Sequence, residues 1–170
     1  MKTHLFFAVT LLFFGLNSCS KKSSGDITPN DKREGTISVQ INGTTWSGTC
    51  GAVDAKIGTS VNVTIVGNKE GKNGAKDDVL TITLIGYTGT GSYPLSANNG
   101  SGISLIYNDV LYSNDKKSTD QPIIKITESA LPTTPLGPGK LAGEFSGTLK
   151  STDGKTVQLT NGKFQTTDIL

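Results

Sequence analysis

The sequence has very few residues of the types that carry out most catalytic and metal-binding chemistry. Histidine occurs once, at His4, and cysteine occurs twice, at Cys19 and Cys50. Because His4 lies in the segment that we interpret below as an export signal, the mature chain is expected to have no imidazole. This absence excludes Ser–His and Cys–His nucleophilic pairs, and zinc or copper sites that need histidine. We therefore expect no catalytic residues, no metal site and no cofactor.

Neither sign of charge dominates the sequence. Sixteen Lys and Arg residues stand against fourteen Asp and Glu residues, which gives a formal net charge of +2. Domains that bind nucleic acid usually carry a clear excess of clustered basic residues. The composition therefore predicts that nucleic acid is not a partner.

Long hydrophobic runs are also scarce, and the longest is too short to span a membrane. Residues Leu5 to Leu16 are mainly apolar and follow a short basic start at Met1 to His4. A transmembrane helix needs about 20 apolar residues, whereas an export signal has a shorter apolar core. The pattern predicts a signal peptide over residues 1–18.

The end of this segment, Leu16-Asn17-Ser18-Cys19, resembles the lipobox of bacterial lipoproteins. The resemblance implies that a diacylglyceryl group is attached to the Cys19 sulfur, that the chain is cleaved before Cys19, and that the new amino group is acylated. The mature protein would then have a membrane as its partner, through a lipid anchor and without spanning it. An ordinary secretory signal that happens to contain Cys19 is the alternative.

Residues 19–35 are predicted to form a lipidated, disordered tether. Ile27 is the one clear apolar residue between Ser20 and Gly35, so this stretch cannot bury enough surface to offset its chain entropy. In enteric lipoproteins an Asp after the lipidated cysteine retains the protein in the inner membrane, so Ser20 favours the outer membrane by analogy. No acidic run of the kind that directs export to the cell surface follows at once, which favours the periplasmic leaflet.

From residue 36 to residue 170 the sequence predicts a single β-domain. Ile37, Val39 and Ile41 alternate with polar residues, as in a half-buried strand, and similar alternation recurs around 61–66 and 80–84. Asn42-Gly43 and Asp153-Gly154 are typical of hairpin turns. The fold class is therefore all-β, with about eight to ten short antiparallel strands. The pattern does not separate a β-sandwich from a barrel.

Three aromatic residues are candidates for ligand binding. An exposed ring can stack on the face of a sugar, and Trp46 is the first candidate. Its position directly after a tight hairpin favours core packing instead, so both roles stay open. Tyr107 and Tyr112 flank Asn108-Asp109 and are candidates for one rim of a pocket. Cys50, which has no partner for a disulfide once Cys19 is lipidated, is expected to be buried and inert, with a reactive or intermolecular role as the alternative.

Several sequence blocks resemble those of a known family. These blocks are Ile41-Asn42-Gly43-x-x-Trp46, Gly91-Ser-Tyr93-x-Leu95, and Gly143-Glu-Phe145 followed by Asp153-Gly-Lys-Thr-Val157-Gln-Leu-Thr-Asn161-Gly162-Lys-Phe164. With them, the whole mature domain is similar to a family of short lipoproteins of unknown function from Bacteroidota. The resemblance implies an all-β fold in an outer-membrane or periplasmic setting, and it carries no assigned activity.

These observations favour a non-catalytic, lipid-anchored protein of the cell envelope that acts in binding or in envelope organisation. A glycan- or small-ligand-binding accessory protein of a polysaccharide-uptake system, using Trp46, Tyr107 or Tyr112, is the main alternative. An enzyme that uses carboxylates alone, such as a glycosidase, is a further one, because its two acidic residues can lie far apart in sequence.

Overall fold

The computed structural model describes residues 35–170, except 73, 97–98, 115–119, 134–138 and 168. The predicted signal peptide and Cys19 lie outside the described residues, as does the predicted tether up to residue 34. In the part of the chain that is described, no helix is long and apolar enough to cross a membrane.

The described residues form ten β-strands. In chain order they are β1 (Gly35–Ile41), β2 (Thr44–Ile57), β3 (Ser60–Lys69), β4 (Asp78–Leu84), β5 (Gly91–Pro94), β6 (Gly102–Tyr107), β7 (Val110–Ser113), β8 (Ile123–Ala130), β9 (Lys140–Ser151) and β10 (Thr156–Thr166). All ten pair in an antiparallel manner. The predicted all-β fold is confirmed, although β2, β9 and β10 are longer than the short strands that the sequence indicated.

Eight of the strands close into a barrel. The order is β10-β1-β2-β3-β4-β6-β7-β9, and β9 pairs with β10 to complete the ring. On its other edge, β9 is shared by two partners. Its first part pairs with β8, which is followed by β5, and its last part pairs with β7 at Tyr112↔Ser151 and Ser113↔Lys150. The four-residue strand β5, which ends in Pro94, is the outermost strand on this side of the sheet.

The interior of the barrel is filled by the apolar side chains that the alternation predicted. Ile37, Val39 and Ile41 of β1 are each 2% exposed, and Leu80 and Ile82 of β4 are fully buried. An eight-stranded barrel is just wide enough for its inward side chains to fill it. The alternating pattern thus determines which face of each strand points into the barrel.

The two Asn-Gly dipeptides adopt different structures. Asn42 and Gly43 both have positive φ and form the tight turn between β1 and β2, as predicted. Asn161, with φ 53°, lies inside β10 instead, and the register against β9 shifts between Leu159 and Gly162. The second dipeptide is therefore a β-bulge, because β9 and β1 hold β10 from both sides.

Two phenylalanine rings pack over glycines of the neighbouring strand. Phe145 of β9 lies opposite Gly162 of β10, and Phe164 of β10 lies opposite Gly143 of β9. A Cβ atom added to Gly162 would lie 2.6 Å from the Phe145 ring, and one added to Gly143 would lie 2.7 Å from the Phe164 ring. Each ring thus occupies the space that its partner's missing side chain leaves.

We expect Gly162→Ala to destabilise the barrel by about 1–3 kcal/mol, because the new methyl group overlaps both the Phe145 ring and its backbone oxygen. Urea unfolding followed by Trp46 fluorescence measures the change. Ser146→Ala, on the outer side of β9, is the control and should leave the midpoint unchanged. Equal midpoints for the two variants would show that this contact does not constrain the core.

Candidate functional site

Trp46, the first candidate for a ligand-binding ring, lies in the core. Its side chain is 1% exposed, and its indole Nε1 donates a hydrogen bond to Asp78 Oδ2 at 3.1 Å. The other oxygen of Asp78 accepts a hydrogen bond from the backbone N of Asn108 at 3.1 Å. The ring has no free face for a sugar, and it ties β2 to β4 and to the β6–β7 turn. This is the packing role that its place after the hairpin favoured.

Tyr107 and Tyr112 both face inward but do not form an exposed rim. Tyr112 is 8% exposed, and Tyr107 is half-buried against the core near the β6–β7 turn. The register pairs Tyr112 with Leu105 and Tyr107 with Val110. The structure therefore brings the two tyrosines to one face of the hairpin without presenting both rings to a ligand.

Tyr87 and Tyr93 form the aromatic contact that the sequence did not indicate. Their ring centroids are 5.7 Å apart, with an interplanar angle of 22°. The Tyr87 hydroxyl donates to Ser129 Oγ at 2.6 Å, and the Tyr93 hydroxyl donates to the Gly89 carbonyl at 2.7 Å. Both hydroxyls are thus engaged in holding the connection from β4 to β5.

Several carboxylates are engaged in turns and surface ion pairs. The Lys155 Nζ, which lies 2.8 Å from the Asp153 carboxylate, and the Ser151 Oγ, which donates a hydrogen bond to it, lower the pKa of Asp153 to about 2. Glu128 pairs with Lys140 at 2.7 Å. In the described residues, no group of three or more His, Cys, Asp or Glu side chains could hold a metal ion.

Cys50 is buried on the inner side of β2. It is 5% exposed, and its Sγ donates to the backbone oxygen of Gln165 at 3.7 Å. Burial raises the pKa of its thiol to about 11. The thiolate, which is the reactive form, is therefore scarce at neutral pH.

The outer surface of five neighbouring strands carries no charged side chain, and we call it the uncharged face. It comprises the outward residues of β2 from Thr49 onward and those of β3, β4, β6 and β7. Its members are Thr49, Gly51, Val53, Ala55, Ile57, Ser60, Asn62, Thr64, Val66, Asn68, Val79, Thr81, Thr83, Gly102, Ser104, Ile106, Leu111 and Ser113.

Large apolar side chains are concentrated on the uncharged face. It holds five of the eight exposed large apolar side chains of the described residues, including Ile57, Leu111 and Ile106 at 67%, 55% and 41% exposure. Val79, Ile106 and Leu111 are direct cross-strand neighbours on β4, β6 and β7. Scattered apolar residues are normal on a protein surface, but a contiguous group marks an interaction site.

The opposite side of the barrel is ionic. Lys125, Glu144 and Lys163 lie side by side on β8, β9 and β10, and Lys163 Nζ is 3.8 Å from Glu144 Oε1. They line an open groove of about 560 Å³ together with Ile123 and Asn161. Phe145 also borders this groove but is 4% exposed, so its ring offers no stacking surface.

The domain is thus an antiparallel β-barrel with a filled interior, and it has one uncharged and one ionic face. Residues 33–167 match the domain of unknown function DUF6252, and the chain belongs to this family. The match agrees with the expected membership of an uncharacterised family. No curated protein and no solved structure matches the chain.

The motifs in the sequence did not indicate the uncharged face, because its sign in the sequence is an absence of charged residues. No charged residue occurs in 35–53, in 57–68 or in 79–108. These runs supply most of β2, β3 and β4 and all of β6, which the barrel places side by side. The lack of charged residues in each run is visible in the sequence. That the runs lie side by side is known only from the order of the strands in the barrel.

We expect the Cys50 thiol to react with an aromatic disulfide reagent at pH 8 about 100-fold more slowly than an exposed cysteine, because its pKa is near 11. Thr45→Cys in a Cys19→Ser background supplies the exposed thiol for comparison. The Cys50 rate should rise with pH as the thiolate forms. Similar rates for the two thiols at pH 8 would contradict the burial of Cys50.

Proposed function

We propose that the protein is a non-catalytic lipoprotein of the bacterial cell envelope, as in Bacteroidota, and that it binds a partner through the uncharged face. The lipobox-like Leu16-Asn17-Ser18-Cys19 supports the lipid anchor, with the periplasmic leaflet of the outer membrane as its location. The barrel then binds its partner next to the membrane.

The observation that carries the binding role is the continuity of the uncharged face. Eighteen outward positions, each covering about 33 Å² at the usual strand spacing and rise, give a surface of about 600 Å². A standard protein interface buries about 800 Å² on each partner and has few charges at its centre. The face therefore has nearly the size of one side of an interface and shares the lack of charge at an interface centre.

A binding role also agrees with the contacts that the carboxylates and aromatic rings make within the protein. The inward side chains fill the barrel, so a partner would contact its outside. Asp78, Asp153 and Glu128 are held in a core hydrogen bond, a turn and an ion pair. Trp46 and Tyr112 are buried, which favours a protein contact over sugar stacking on these rings.

We expect Cys19 to carry the lipid in the mature protein. Mass spectrometry of the purified chain should find a mature form that begins at Cys19 with diacylglyceryl and acyl groups. Cys19→Ala should accumulate as an uncleaved precursor. A secreted chain with an unmodified Cys19 would contradict the anchor.

We expect one lysine on the uncharged face to weaken partner binding at least about tenfold, because an unpaired charge would be buried in the interface. Leu111→Lys is the test, and Ile123→Lys, at a similarly exposed position on the ionic side, is the matched control. A photoreactive residue at Val66 should cross-link one partner in cells, and only Leu111→Lys should abolish the adduct.

The position and nature of the cross-link decide between the candidate functions. No adduct at Val66, or equal adducts from Val66 and from Ser146 on the ionic side, would contradict binding through the uncharged face. A glycan in place of a protein in the Val66 adduct would favour the glycan-binding alternative.

A further inference from the structure

The β2–β3 hairpin projects beyond the point at which the chain joins the barrel. Gly35, the first residue of β1, pairs with Cys50. Strand β2 continues for seven residues past this pair, to Ile57, and β3 returns from Ser60. At about 3.3 Å per residue, the hairpin tip reaches roughly 23 Å beyond Gly35 along the strand.

The outward side of this projection is apolar. Val53, Ala55 and Ile57 follow one another on the outer face of β2. Leu170 lies beside Val53, because the Leu170 N donates to the Ala52 oxygen and the Asp54 N donates to the Leu170 oxygen, both at 2.9 Å. We call Val53, Ala55, Ile57 and Leu170 the apolar strip.

The apolar strip is open to solvent although its composition suits a core. Ile57 is 67% exposed, Leu170 is 59% exposed and Val53 is 46% exposed. Two charged residues lie on this part of β2, the exposed Lys56 and the half-buried Asp54, and they alternate with the apolar strip on the other face of the strand. Exposed aliphatic side chains on one face of a segment, with its charged side chains on the other face, are typical of protein segments that lie in a lipid interface.

The length of chain before Gly35 fits contact with that membrane. Fifteen residues, 20–34, separate Cys19 from Gly35. The sequence predicts a flexible tether there, and a flexible chain of that length has an end-to-end distance of roughly 20 Å. The hairpin reaches about the same distance from Gly35. A lipid at Cys19 would therefore hold the barrel at a height where the tip of the hairpin meets the lipid surface.

We propose that the apolar strip inserts into the lipid interface and orients the barrel on the membrane. The proposal rests on the lipid anchor at Cys19 proposed above, and it adds a second point of attachment. It assigns Val53, Ala55 and Ile57, at the hairpin end of the uncharged face, to the membrane and leaves the other positions of that face to the partner. Two attachment points would fix which side of the barrel faces away from the membrane. The anchored domain would then lie in a defined orientation.

The test uses the full-length lipidated protein in vesicles of phosphatidylethanolamine and phosphatidylglycerol. A polarity-sensitive fluorophore is attached at Ile57→Cys, with Thr45→Cys near the opposite end of the barrel and Ile123→Cys on the ionic side as controls. Cys50 is buried and does not compete for the label. All three positions are exposed, so the labelled proteins should fold.

We expect the label at Ile57 to shift to shorter wavelength on vesicles and to be quenched by spin-labelled lipid at least twofold more strongly than the labels at Thr45 and Ile123. Equal quenching at the three positions on a protein shown to carry the lipid would overturn the insertion and leave the anchor standing. An unlipidated Cys19 would instead refute the proposed function. Shielding at Ile57 that follows protein density rather than spin-labelled lipid would indicate a second copy as the occupant and would also overturn the insertion.

Discussion

The pairing of β7 and β10 with opposite edges of β9 is the constraint on which the rest of the structure depends. Through these pairings an open antiparallel sheet becomes a closed ring, and each strand of the ring acquires one inner and one outer face. The inner faces must then be apolar and mutually complementary, because the enclosed space holds side chains alone. Most polar and charged groups are left to the outside, and those on the inner side, such as Asp78, are held by hydrogen bonds.

Closure also explains how several unusual residues fit together. Phe145 and Phe164 each cover a glycine of the other strand, which lets β9 and β10 approach with bulky rings on the same inner face. Trp46 needs an acceptor for its indole N–H when it is buried, and Asp78 supplies one at the start of β4. The two phenylalanine contacts lie within the β9–β10 hairpin, whereas the Trp46–Asp78 hydrogen bond joins β2 to β4, which are not consecutive in the chain.

Local features of the fold could be predicted from the sequence, whereas its closure could not. Alternation identified β1, β3 and β4, and Asn42-Gly43 identified the first turn. The same dipeptide at Asn161-Gly162 became a bulge, because partner strands on both sides outweighed its local preference. The choice between a sandwich and a barrel depended on pairings between strands far apart in the chain, such as β1 with β10.

The candidate site shows the same limit of sequence reasoning. The orientation of an aromatic ring depends on strand register, so the spacing of Tyr107 and Tyr112 could not reveal that both face inward. The runs without charge were visible at 57–68 and 79–108, but their meaning required the barrel to place them side by side. A surface formed by omission of charge has no motif, and a search for catalytic residues overlooks it.

The short outermost strand β5 has a consequence for how copies of the protein behave when they are concentrated. A long, straight strand with unpaired backbone groups would invite neighbouring copies to add their own strands, and growth of a fibril could follow. Strand β5 offers four residues, and Pro94 among them has no N–H to donate. Strand β5 thus offers a neighbouring copy only a very short template for strand addition, even at high concentration.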